Sequence, residues 1–180
     1  MPAIIKDCSD DEATVIMVDA NIQREELLPS EKAFAFKMKM EAMKRQAGRP
    51  AQDNYSPLGN NSFGTKSSDE MAAEVGESKN TIFRYIRLTE LIPELLDLVD
   101  EGRIAFRPAV ELSYLQKEEQ GALLEQIAYA DATPSLAQAI KLKRFSQDGK
   151  LNNEVIESIM SEEKPNQREK INIKYAEARR

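Results

Sequence analysis

Between Ser67 and Arg87 the chain reads SSDEMAAEVGESKNTIFRYIR, and the residue types here suit reading a nucleic-acid duplex. An asparagine amide matches the donor and acceptor of adenine, an arginine fork matches guanine, and a threonine methyl or phenylalanine ring can rest on a thymine methyl. Asn80, Arg84, Thr81 and Phe83 supply these groups within a few residues. Lys79 and Arg87 fall on the same outward side of a helix starting at Ser78. Lys66 and Ser68, ahead of the first helix of this segment, are placed for phosphates, which position a protein without specifying sequence.

Such groups work only if two helices hold them. Ser67, with Asp69 and Glu70 behind it, starts the first helix, whose inner face is Met71, Ala72 and Val75. Gly76 follows four residues after Ala72, where a tight turn calls for positive φ. Ser78 caps a second helix with Ile82, Tyr85 and Ile86 inside. A small residue where the helices cross, a glycine at the turn and an apolar residue further on are the helix-turn-helix pattern. The candidate DNA-binding set is therefore Lys66, Ser68, Ser78, Lys79, Asn80, Thr81, Phe83, Arg84 and Arg87. The plainer reading is a structural hairpin with a solvated basic face. Phe83 argues against it, because an outward aromatic among cations calls for a partner.

Composition narrows the alternatives. The 180 residues contain no histidine, which removes the commonest general base and metal ligand. One cysteine, Cys8, excludes an internal disulfide and fits a reducing compartment. No apolar run is long enough for a membrane span, and residues 1–11 lack a signal-peptide core, so a cytoplasmic location is expected. The net charge of −6 is unusual for a DNA binder, but it is unevenly spread. Lys32, Lys37, Lys39, Lys44, Arg45 and Arg49 crowd one stretch, Lys79, Arg84 and Arg87 another, and Lys141, Lys143 and Arg144 a third. Local patches can meet phosphates despite an acidic total, because salt screens charges beyond ~10 Å.

The remaining elements read as helices. Pro2–Asp7 suggests an edge strand. Ser9 with Asp10, Asp11 and Glu12 opens a helix running to about Asn21. Ser30 is expected to cap the next, with Phe36, Met40 and Met43 on the packing stripe and lysines elsewhere. Residues 47–66, rich in Gly, Pro and Asn, form a linker. Pro93 opens a helix that Gly102 ends, Pro108 opens another, and Thr133 with Pro134 reads as cap and first turn of one closed by Gly149. Leu95, Leu98, Val99, Leu112, Leu115, Leu123, Leu124, Ile127, Leu136 and Ile140 are expected to supply core faces. Val155, Ile156, Ile159 and Met160 mark a last amphipathic helix before a charged tail. The fold class is all-α, a multihelical helix-turn-helix domain at 67–148, with 1–46 in front and 149–180 behind.

NIQRE at Asn21–Glu25, the hairpin, and RYIRLTELIPELLDLVDEGRIAFRPAVELSYL at Arg84–Leu115 resemble ParB- and Noc-type partition proteins, especially those of plasmids and conjugative elements. The likeness spans roughly residues 1–145. It implies that the segment Asp100–Leu115 packs behind the recognition helix, making Arg103 and Arg107 further DNA-contact candidates. It also implies cytidine triphosphate and magnesium as ligands, and residues 1–46 as the remnant of the family's nucleotide-binding domain. Of that domain's motifs, only Asn21 and Arg24 of a Glu-Asn-x-x-Arg pattern are present, with Ala20 in place of the glutamate, and the arginine-rich phosphate motif is absent. The expectation is therefore no cofactor and no enzymatic activity in this chain. The partners expected are double-stranded DNA at a palindromic site, a second copy as homodimer, and a ParA-like ATPase, with no membrane and a nucleoid-associated location. The rival functions are a transcriptional or nucleoid-associated regulator using the same hairpin, a nucleotide-switched clamp, and a helical adaptor docking through the acidic stretch Glu90–Glu101.

Overall fold

The computed structural model describes residues 7–22, 27–46, 69 and 71–162. The expected strand lies almost wholly outside them, as do the linker, Arg24, Lys66, Ser68 and the charged tail. Every regular element among the described residues is a helix: α1 (Asp10–Ile22), α2 (Pro29–Gln46), α3 (71–75), α4 (Lys79–Leu88), α5 (Pro93–Asp100), α6 (Phe106–Leu112), α7 (Lys117–Ala130), α8 (Leu136–Gln147) and α9 (Asn153–Ser161).

Local chemistry sets the ends of these helices. Ser9 Oγ accepts from the Glu12 amide, and the Glu12 carboxylate accepts from the Ser9 amide, a reciprocal box at the start of α1. α2 starts two residues earlier than the serine reading implies. Pro29 takes the first position, where its missing N–H costs nothing, and the Leu28 amide donates to Glu31. Ser30 instead ties α2 to the end of α5, its amide and hydroxyl both donating to Asp100. α6 begins at Phe106, so Pro108 lies inside its first turn rather than opening it. α8 is capped by Ser135, not Thr133: Ser135 Oγ accepts from the Gln138 amide, and the Gln138 side chain reaches back to the Ser135 amide. The Thr133 hydroxyl donates to the Arg103 carbonyl.

Two apolar cores result. The larger gathers Leu88 of α4, Leu95 and Val99 of α5, Leu112 of α6, Leu123 and Ile127 of α7, Leu142 of α8 and Ile156 of α9, with Ala33 of α2. The smaller is Phe36 and Met40 of α2, Met71 of α3 and Ile82 of α4. Tyr85 packs against both. The expected core faces on α5, α6, α7 and α9 are present, but that of α8 is not. Leu136 and Ile140 are exposed, and Gln138, Ala139, Leu142 and Ser146 face inward instead. Gln138 can be buried because its amide donates to the carbonyls of Ile159, Met160 and Glu162, satisfying the open end of α9.

A second departure is Lys39. Expected outside, it is fully buried, with its ammonium between Asp19 of α1 and Glu74 of α3, each at 2.5 Å. Burial lowers its pKa, but the hydrogen bonds and charges of the two carboxylates outweigh that, so the ammonium is held above its ordinary value of 10.5. The two acids remain partly solvated, which discounts the energy of the pairs. Lys39→Met should cost about 1–2 kcal/mol in urea denaturation, the scale of two partly exposed charged hydrogen bonds. A raised lysine pKa contributes fully below the unfolded value and fades only above it. The loss should therefore be the same from about pH 6 to 9.

Candidate nucleic-acid interface

The hairpin of α3 and α4 is built as its sequence suggests. Gly76 stands at φ +73° in the turn, a conformation that side-chain-bearing residues adopt at a cost. Ser78 caps α4, its Oγ accepting from the Thr81 amide, with the two hydroxyls 2.8 Å apart. Met71 and Ile82 are buried, and Ala72, Val75, Tyr85 and Ile86 pack beside them. That inner stripe turns the opposite side of α4 outward: Asn80, Phe83 and Arg84 are exposed.

The proposed contact residues therefore fall into distinct environments. Asn80 and Arg84 project from the outer face, and Arg84 has no ion-pair partner among the described residues. Phe83 keeps nearly half its surface in solvent between them. Lys79 bridges back across the hairpin to Asp69 at 2.9 Å. Thr81 is engaged with the cap. Arg87 leans away: its Nη2 donates to the Ser113 carbonyl at 3.0 Å and its guanidinium lies over the Tyr114 ring. Asn80, Phe83, Arg84 and Arg87 share one groove with Val110 and Tyr114.

Residues beyond the hairpin extend this side of the molecule. Arg107 of α6 is exposed, also has no ion-pair partner among the described residues, and joins Arg84, Val110, Leu136 and Ile140 around an adjoining groove. The outward Leu136 and Ile140 thus border α4. Arg103 is not drawn into either groove on α4; it pairs with Asp131 at 3.6 Å. Sequence reasoning missed Tyr114 as a neighbour of Arg87 on α4, because nothing local marks a residue brought close by a turn between two helices. Asn21 is half-buried at the end of α1. The Ala20 side chain beside it offers no oxygen, and no group of three or more His, Cys, Asp or Glu among the described residues could hold a metal ion.

The class defined by this geometry is an all-helical helix-turn-helix domain. Residues 60–138 match the family model of the ParB HTH domain. Among curated proteins, the chain is 27% identical over 141 residues to the chromosome-partitioning protein Spo0J of Thermus thermophilus, covering 78% of this chain and 44% of that protein. It is 32% identical over 129 residues to a nucleoid occlusion protein of Listeria monocytogenes, covering 71% and 38%. A nucleoid occlusion protein of a Geobacillus strain is 29% identical over 128 residues, with the same two coverages. The chain spans less than half the length of each of these relatives, and over the matched segment it is ParB-like. No helix of the described residues is long and apolar enough to cross a membrane.

A Cβ at Gly76 would meet nothing within 4 Å, so Gly76→Ala should be limited to backbone strain. Denaturation should show a loss of about 1–2 kcal/mol for Gly76→Ala and less for Gly76→Asn, since Asn tolerates positive φ better.

Proposed function

We propose that this chain binds double-stranded DNA sequence-specifically, by inserting α4 into the major groove, as part of a ParB-like DNA-segregation system. The observation that carries the reading is the outer face of α4. Asn80 and Arg84 stand free there beside an exposed Phe83, on a helix whose orientation is fixed by the Gly76 turn, the Ser78 cap and a buried inner stripe. In that arrangement Asn80 reads adenine, Arg84 reads guanine and Phe83 meets thymine methyls. Lys79 and Arg87 sit at the edges of the face, toward the backbone, with Ser78 at the helix start.

The match to the ParB HTH domain and the names of the relatives support partition as the setting. Helix-turn-helix proteins of this kind act as dimers on palindromic sites, so a homodimer spanning two half-sites is part of the proposal. So are a nucleoid-associated location and a ParA-like ATPase as partner.

Selection from a randomised duplex pool at physiological salt should enrich a palindromic motif. On that motif Arg84→Ala should lose about 1–3 kcal/mol of binding, with little change on random DNA. Equal losses on both duplexes would assign Arg84 to the backbone and refute its base-reading role.

A further inference from the structure

The groove beside α4 ends on a cluster that base reading does not require. Tyr114, two residues past α6, is 41% exposed, and two cations lie over its ring. The Arg87 guanidinium carbon is 4.2 Å from the ring centroid and Lys143 Nζ is 3.7 Å from it. Glu111 accepts from Lys143 at 2.8 Å and neutralises one of the two charges. Arg87 spends one nitrogen on the Ser113 carbonyl, and its Nε is enclosed without a hydrogen-bond partner. The Tyr114 hydroxyl makes no hydrogen bond among the described residues.

Two like charges brought to one ring repel each other. The negative face of the ring offsets part of that, and one carboxylate offsets another part. Of the two cations one is left unneutralised by Glu111, beside a phenol whose hydroxyl makes no hydrogen bond among the described residues. The chemistry that would complete this set is an anion with several acceptor oxygens. Its position selects the anion: Tyr114 and Arg87 line the same groove as Asn80 and Arg84, and a helix in the major groove is flanked by phosphates.

We infer that Tyr114, Arg87 and Lys143 form a phosphate-binding corner for the DNA backbone, in which the Tyr114 ring positions the two cations and its hydroxyl donates to the phosphate. The inference rests on the DNA-binding reading above and extends the interface from α4 to the end of α6 and to α8. Glu111 keeps Lys143 in register with the ring.

The test measures binding of the full chain to its selected duplex and to a random duplex across a salt series, with thermal midpoints as a control on folding. Tyr114→Phe keeps the ring and removes the hydroxyl. It should weaken both duplexes by about three- to tenfold, the worth of one hydrogen bond, with selectivity and salt dependence unchanged. Lys143→Gln should weaken both and lower the slope of log K against log salt by about one. Tyr114→Leu, which also releases the cations, should lower that slope by about one to two. Wild-type affinity and slope in Tyr114→Phe and Lys143→Gln would overturn the corner, and these two variants decide the matter if the leucine variant is poorly folded. A loss confined to the selected duplex would make Tyr114 a base reader and overturn the phosphate assignment. If wild-type protein enriches no motif and Arg84→Ala changes nothing, the DNA reading itself fails. If Arg84→Ala loses selectivity while the Tyr114 and Lys143 variants match wild type, only the corner fails.

Discussion

Among the described residues one side chain joins the two apolar cores, and it belongs to α4. Tyr85 meets Phe36 edge-on at 5.6 Å and Phe106 at 4.6 Å, so the smaller core around α2 and α3 and the larger one around α5–α9 share it. Burial pushes its phenol above the ordinary value, with the charge of Glu77 adding to the shift. Each such aromatic pair is worth about 0.5–1.5 kcal/mol beyond the area it buries. Successive residues on a helix are about 100° apart, so fixing Ile82, Tyr85 and Ile86 inward leaves Asn80, Phe83 and Arg84 no choice of direction. The outer face is oriented by packing it takes no part in.

The same logic explains why charge enters the fold where it does. Three helices meet at Lys39, and its ammonium satisfies one carboxylate from α1 and one from α3. A buried amine is costly alone and tolerable when paired. The result is that α1 and α2 are bound to α3, which supports the hairpin that carries α4. Ser30 with Asp100 repeats the device at the other end of α2, with neutral donors on a carboxylate.

Much of this was legible in the sequence because local rules coincided with the tertiary result. The Gly76 turn, the Ser78 cap and the stripe of Ile82, Tyr85 and Ile86 are each set by neighbours within a few residues. Failures occur where a distant partner overrides a local preference. Leu136 and Ile140 belong inside by hydropathy, yet Gln138 takes the inward position because the carbonyls at the end of α9 need donors. Lys39 belongs outside by the same measure, and only Asp19 and Glu74, from other parts of the chain, allow it in. Ser30 lost its role as a cap to Pro29 and Glu31, a competition between two valid start signals. Tyr114 could not be placed against Arg87 and Lys143 from sequence, since that contact depends on how α4, α6 and α8 cross.

If this acidic chain reads DNA as proposed, it must do so with few charges, and the basic residues are unevenly paired. Lys79, Arg103 and Lys143 are each matched to an acid, and Arg87 to a carbonyl, while Arg84 and Arg107 stand without an ion-pair partner among the described residues. Glu94, Asp97 and Glu101 of the α5 region are exposed and repel phosphate. Non-specific binding scales with the number of phosphates neutralised, so a surface of this kind adheres weakly to arbitrary DNA. On the proposed reading, specific binding would draw on hydrogen bonds from Asn80 and Arg84, which the acidic total does not diminish at contact distance. Since discrimination is the ratio of the two, a net charge of −6 lowers the background more than the signal. On the proposed reading, the acidity that first counted against DNA recognition would then be a source of selectivity.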